Sequence, residues 1–65
     1  MYQTIASARE IKAYDHLLID DKRWKVLWPA EFASHESVQF VAVDDSGDKK
    51  IFTMRNDAMI IILKK

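Results

Sequence analysis

His16 and His35 are of the residue type most often used to move protons or to grip a metal. Neither has a partner at metal-ligand spacing. No His-x-x-x-His or His–Glu pair of helical spacing occurs and cysteine is absent, so zinc has no donor set. His35 stands between Ser34 and Glu36, but a nucleophile–base–acid triad is a spatial arrangement that sequence neighbours do not make. Asp44-x-Ser46-x-Asp48 opens with the spacing of a calcium loop. That loop needs glycine sixth and a bidentate acid twelfth; here Gly47 is fourth and Arg55 twelfth. The segment therefore predicts a solvated hairpin turn. A chain of 65 residues also has little volume for a shielded pocket of roughly 300–1,000 Å3. The expectation is a protein without catalysis, metal or cofactor.

Binding chemistry has better candidates. Trp24 shares a strand face with Val26 and is expected in the core. Trp28 stands on the same alternation but at the strand's end, beside Pro29, and Phe32 falls in a loop of small and polar residues with His35. Two outcomes are open for Trp28 and Phe32. They cover one end of the core as a lid, or, with Pro29, they stay partly exposed and hold a protein partner. Tyr14 is a further aromatic wall and His35 a polar neighbour. Lys22, Arg23 and Lys25 form a basic cluster that Lys12 could join. Phosphates on these cations and bases on a nearby ring would make a single-strand binding face. Strict alternation, however, points Arg23 and Lys25 away from Trp24, and Asp20 and Asp21 adjoin the cluster. A module for an unidentified protein partner is thus the first expectation. A weak RNA or single-stranded DNA binder is the alternative, and a subunit self-associating through its last strand is a third.

Composition limits the field. The chain is 49% hydrophobic and 31% charged, enough apolar surface to fold. Ten basic and ten acidic residues give a formal net charge of zero, which excludes both a strongly basic duplex binder and an acidic DNA mimic. The sequence pI near 6.7 gives weak mutual repulsion, so a monomer or weak homodimer is expected. The longest apolar run, residues 58–63, is far short of the ~20 residues that span a bilayer. Gln3, Ser7, Arg9 and Glu10 stand where a secretion leader would be apolar, so a cytoplasmic location without membrane contact is expected.

The elements that must position these residues follow from punctuation and period. Ser7-Ala8-Arg9-Glu10 fits a capping box, predicting one or two helical turns within residues 3–14. Leu17, Leu18 and Ile19 form a short strand stopped by the turn Asp20-Asp21-Lys22. Trp24, Val26 and Trp28 alternate with Arg23, Lys25 and Leu27 in a second strand that Pro29 ends. Residues 30–36 are the longest irregular connection. Residues 38–43 and 49–54 form a hairpin about Asp44-Asp45-Ser46-Gly47-Asp48, with Gly47 where a positive φ is required. A turn at Arg55-Asn56-Asp57 leads to the apolar strand 58–63, which Lys64 and Lys65 terminate. Five short strands in one domain of residues 1–65 favour a mainly all-β, closed or half-closed barrel.

This layout resembles the small SH3-like barrels, among them the short accessory proteins of bacteriophage genomes. The resemblance lies in Ala8-Arg9-Glu10-Ile11 leading into Tyr14-Asp15, in Leu17-Leu18-Ile19, Arg23-Trp24-Lys25-Val26, Val38-Gln39-Phe40-Val41 and Ile51-Phe52-Thr53, and in the closing Arg55-Asn56-Asp57-Ala58-Met59-Ile60. Many such barrels carry glycine before the aspartate of the first strand, where this chain has Tyr14. The resemblance implies a five-stranded barrel that binds protein, RNA or DNA.

Overall fold

Runs rich in β-branched and aromatic residues commit most of the chain to strands. The computed structural model, which describes residues 2–64, contains six: β1 (Tyr2–Ser7), β2 (His16–Ile19), β3 (Lys22–Phe32), β4 (Ser37–Asp44), β5 (Lys49–Arg55) and β6 (Met59–Lys64). One 3-10 turn, Ala8–Glu10, follows β1. All pairings are antiparallel, in the order β1-β6-β2-β3-β4-β5, so β1 and β5 form the two ends of the sheet. Among the described residues no helix is long and apolar enough to cross a membrane.

Several expectations change. The strand count is six, not five, because residues 2–7 pair with β6 instead of starting a helix. The capping signal is real but closes only the 3-10 turn: the Ser7 N–H and hydroxyl both donate to Glu10 Oε2, at 3.0 and 3.2 Å. These bonds, the backbone one foremost, hold the Glu10 carboxyl below its usual range. Upstream of that turn, β6 presents Ile60 and Ile62 to the core, and β1 pairs along its whole length and covers one of its edges. That cover outweighs a helical turn too short to repay its nucleation.

Pro29 does not end its strand either. β3 runs on to Phe32 through two irregularities: two residues advance where β4 advances one between Val26 and Trp28, and three against two between Trp28 and Glu31. A residue without an N–H is at home in such a bulge. The irregular connection accordingly shrinks to residues 33–36, closed by Ala33 N–H donating to Ser37 O at 2.9 Å. Finally, β6 lies between β1 and β2, with a ladder to β1 along Met59–Lys64 and to β2 along residues 61–63, so most of the last strand is already paired on both sides. Lys65 of the expected terminating pair lies outside the described residues.

The turns follow their chemistry. Asp20 and Asp21 adopt φ 53° and 62°, the left-handed pair of a two-residue hairpin. Gly47 adopts φ 89°, while Asp44 Oδ1 accepts the N–H groups of Ser46 and Asp48 at 2.9 and 3.0 Å. Phe40, Leu17, Val26 and Val38 are fully buried, and Ala8, Ile11, Trp24, Ala42, Ile60 and Ile62 complete the core.

Candidate nucleic-acid interface

The first bulge decides where the candidate residues go. Trp24 and Val26 point inward, as alternation requires, and Trp24 is 7% exposed. The extra residue at Leu27 then breaks the period, and Trp28 pairs with Val41 on the outer face, 63% exposed. Trp28 and Trp24 therefore lie on opposite faces, contrary to the unbroken alternation. The cross-strand register extends this arrangement over three strands. Lys25 pairs with Val43 and Val43 with Lys49; one row over, Trp28 pairs with Val41 and Val41 with Ile51. Directly paired residues share a face, so a row carrying two lysines lies beside an apolar row headed by tryptophan. Ile51 is 65% exposed.

Tyr14 flanks the cationic row. Its N–H donates to Val26 O at 2.7 Å, Val26 N–H donates to Asp15 O at 2.8 Å, and the Lys25 ammonium lies 5.6 Å from its ring centroid. These contacts hold Tyr14 at φ 70°, where non-glycine residues are strained, and leave its ring 71% exposed. The resemblance expects glycine at this position; the left-handed backbone is present, and a tyrosine occupies it.

Charge is segregated in a way the balanced total hides. Among the ten acidic residues, only Glu31 and Asp44 belong to strands. Asp44 faces inward with its side chain 2% exposed, so Glu31, opposite Gln39, is the single acid on the outward-facing strand surface. Lys25 and Lys49 share that surface with Arg23, opposite Leu18, and with Arg55, which pairs with Asp57 at 3.2 Å.

The candidate cations separate. Lys22 turns to the inner side, where its Nζ meets Asp44 Oδ2 at 2.8 Å and lies 5.1 Å from the Trp24 ring centroid. The Lys22 contact, helped by the two turn N–H groups, holds the Asp44 carboxyl below its usual range, and Asp44 in turn raises Lys22. This pair lines a groove of about 430 Å3 with Trp24, Phe52, Lys50 and the neighbouring Lys49. Lys12 borders a different hollow, with Glu10, Asp15 and Lys64 over Thr4 and Ile62. Arg23 and Lys25 alone of the four reach the outer face. The partner-binding set also divides. Phe32 pairs with inward-facing Val38 and forms a shallow hollow with Ala33, Ser34 and His35 at the β3–β4 hairpin tip, whereas Trp28 and Tyr14 belong to the outer face, and Pro29 is exposed at the bulge between.

Lys49 and Ile51 had no place among the sequence candidates. Alternation within β5 puts them on one face, but only the β4–β5 register aligns them with Lys25 and Trp28. Among the described residues no three His, Asp or Glu side chains gather as a metal would need.

No protein-family model and no curated protein matches the chain. A solved structure of a translation initiation factor eIF-5A family protein from Naegleria fowleri is similar, with a TM-score of 0.74 and 14% sequence identity over 98% of this chain. This chain spans 49% of that protein's chain. At that identity the likeness establishes the fold: a small, mainly all-β domain built as six antiparallel strands in one sheet.

Proposed function

We propose that this chain is a non-catalytic SH3-like module that binds single-stranded nucleic acid on the outer face of β3, β4 and β5. The observation that supports it most is the bulge-driven exposure of Trp28 on the face that carries Lys25 and Lys49. Every base has a π-face, so an exposed indole beside cations takes unpaired bases without reading sequence. Tyr14, with Lys25 above it, adds a second ring. Few cations on a neutral chain make the binding weak and strongly salt-dependent. The similar solved protein is named a translation initiation factor, which agrees with a nucleic-acid reading more closely than with a phage accessory role.

Titration of fluorescently labelled oligo(U) and oligo(dT) at low salt tests the reading. Stacking contributes about 1–3 kcal/mol per base, so Trp28→Ala should weaken binding roughly 5- to 150-fold. Lys25→Glu should weaken it further at low salt. Absence of binding to both oligonucleotides, or a Trp28→Ala variant that binds as well as the parent, overturns it.

A second reading rests on Phe32, 65% exposed at the hairpin tip beside His35. A protein partner there would be lost in Phe32→Ala with oligonucleotide affinity unchanged.

A further inference from the structure

Building on the outer-face reading just proposed, we infer that the bound single strand crosses β3, β4 and β5 at right angles. Its phosphodiester backbone follows the row of Lys25 and Lys49, and its bases lie over the row of Trp28, Val41 and Ile51. The ladder makes these rows parallel: Lys25, Val43 and Lys49 in one line, Trp28, Val41 and Ile51 in the next. Neighbouring strands are about 4.8 Å apart, so the two lysine positions are about 10 Å apart; Val43 and Val41, two residues apart on β4, separate the rows by about 7 Å. That offset is comparable to the reach of one nucleotide from phosphate to base. A linear polymer satisfies both rows together only by lying along them.

The alternative path, along β3, fails on charge. From Lys25 it would carry the backbone over Trp28 and onto Glu31, the one acid of this face. At the other end of the strands the turns bearing Asp20, Asp21 and Asp45 repel phosphate as well. Acids thus interrupt the path along the strands, while the strand positions of the two cross-strand rows carry none. On the β5 side the sheet ends; on the β3 side the lysine row continues to His16, which pairs with Lys25, and to the Tyr14 ring. The site therefore belongs to two hairpins, and β5 supplies half of it.

Lys49 and Lys50 provide the test: both border the Trp24 groove, but Lys49 pairs with outward-facing Val43 and so belongs to the outer row. Lys50 pairs with buried Ala42 and lies 5.2 Å from the Phe52 ring centroid, on the inner side. The affinity of oligo(U) and of oligo(dT) is measured against salt concentration for the parent protein and for Lys25→Ala, Lys49→Ala and Lys50→Ala, each checked for an unchanged thermal midpoint. Loss of one phosphate contact to a single strand lowers the slope of log K against log salt by about 0.7. The expected result is that loss for Lys25→Ala and Lys49→Ala, none for Lys50→Ala, and recovery in Lys49→Arg. Ile51→Asp, which puts an acid on the base row, should weaken binding at least 5-fold. The slope loss is expected with both polymers because phosphate is common to them, and the tighter-binding polymer identifies the source as RNA or DNA. A slope lowered by Lys25→Ala but untouched by Lys49→Ala overturns the crossing path and leaves outer-face binding standing. Equal losses for Lys49→Ala and Lys50→Ala overturn the path in favour of diffuse attraction. No binding by the parent protein overturns both.

Discussion

Trp24 and Trp28 lie four residues apart on one strand and meet opposite fates. Trp24 packs edge-on against Phe52 with ring centroids 4.9 Å apart, Phe52 stacks on Phe40 at 5.2 Å, and the Lys22 ammonium covers the indole. Its own N–H is buried without an acceptor among the described residues, so packing holds it in place. Trp28 pairs with half-buried Val41 and stands in solvent. The residue type is identical; the extra residue between Val26 and Trp28 makes the difference. The strand thereby uses one tryptophan to build the core and another to furnish the surface. Where Trp24 contributes to stability, Trp28 is expected to contribute to binding.

The largest effect should come from breaking the inner side of this contrast. Trp24→Ala is expected to cost about 3–5 kcal/mol. Total stability for a chain of this length is on the order of 3–10 kcal/mol, so this substitution should remove a large share of it. Trp28→Ala should stay within about 0.5 kcal/mol of the parent in denaturant melts, as exposed substitutions do. Comparable destabilisation by both variants would erase the division between the two faces.

A second effect separates inner charge from outer charge. Asp44 and Lys22 satisfy each other, and Asp44 also holds the β4–β5 turn through two N–H groups. Because folding lowers the Asp44 pKa, its contribution is fully present above the unfolded value near 4 and is lost as pH falls through the lower folded value. Asp44→Asn should therefore lower the thermal midpoint at pH 7 and flatten the decline of stability below about pH 4. Lys49→Ala should change neither. Equal stability losses from the two substitutions would show that the outer lysine, too, is structural.

The sequence revealed the strands more readily than their arrangement. Alternation in residues 23–26 correctly turns Trp24 inward and Lys25 outward, and the Asp–Gly chemistry of residues 44–48 locates a hairpin. These signals are local, each set by a side chain and its immediate neighbours. The bulge at Leu27 has no such mark, since its extra residue is defined only against β4. Strict alternation therefore kept Trp28 with Trp24. The row of Lys25 and Lys49 is hidden for the same reason: its members are 24 positions apart and meet only through the β3–β4–β5 register. Net charge conceals it further, because acids gathered in turns cancel, in the total, cations displayed on strands. The capping box misled in the other direction. Its hydrogen bonds form, but long-range pairing with β6 claims the residues before it.

The smallest effect is also the one that sets stability against binding. Tyr14 holds a left-handed backbone at φ 70° with its ring in solvent, so it bears strain without the compensation of burial. Glycine occupies that conformation freely, and Tyr14→Gly should therefore relieve about 1 kcal/mol of strain, less the extra freedom glycine gains in the unfolded chain. A thermal midpoint equal to or slightly above the parent's is expected, because no core contact is lost. If the ring serves the outer face, the same variant should bind oligo(U) and oligo(dT) several-fold more weakly, with the salt slope preserved because no cation is removed. A variant that is no less stable yet binds worse would show that the strain persists for the sake of the exposed ring. A clear drop in stability would instead assign Tyr14 a packing role, through its contact with Lys25, and would remove the second ring from the proposed surface.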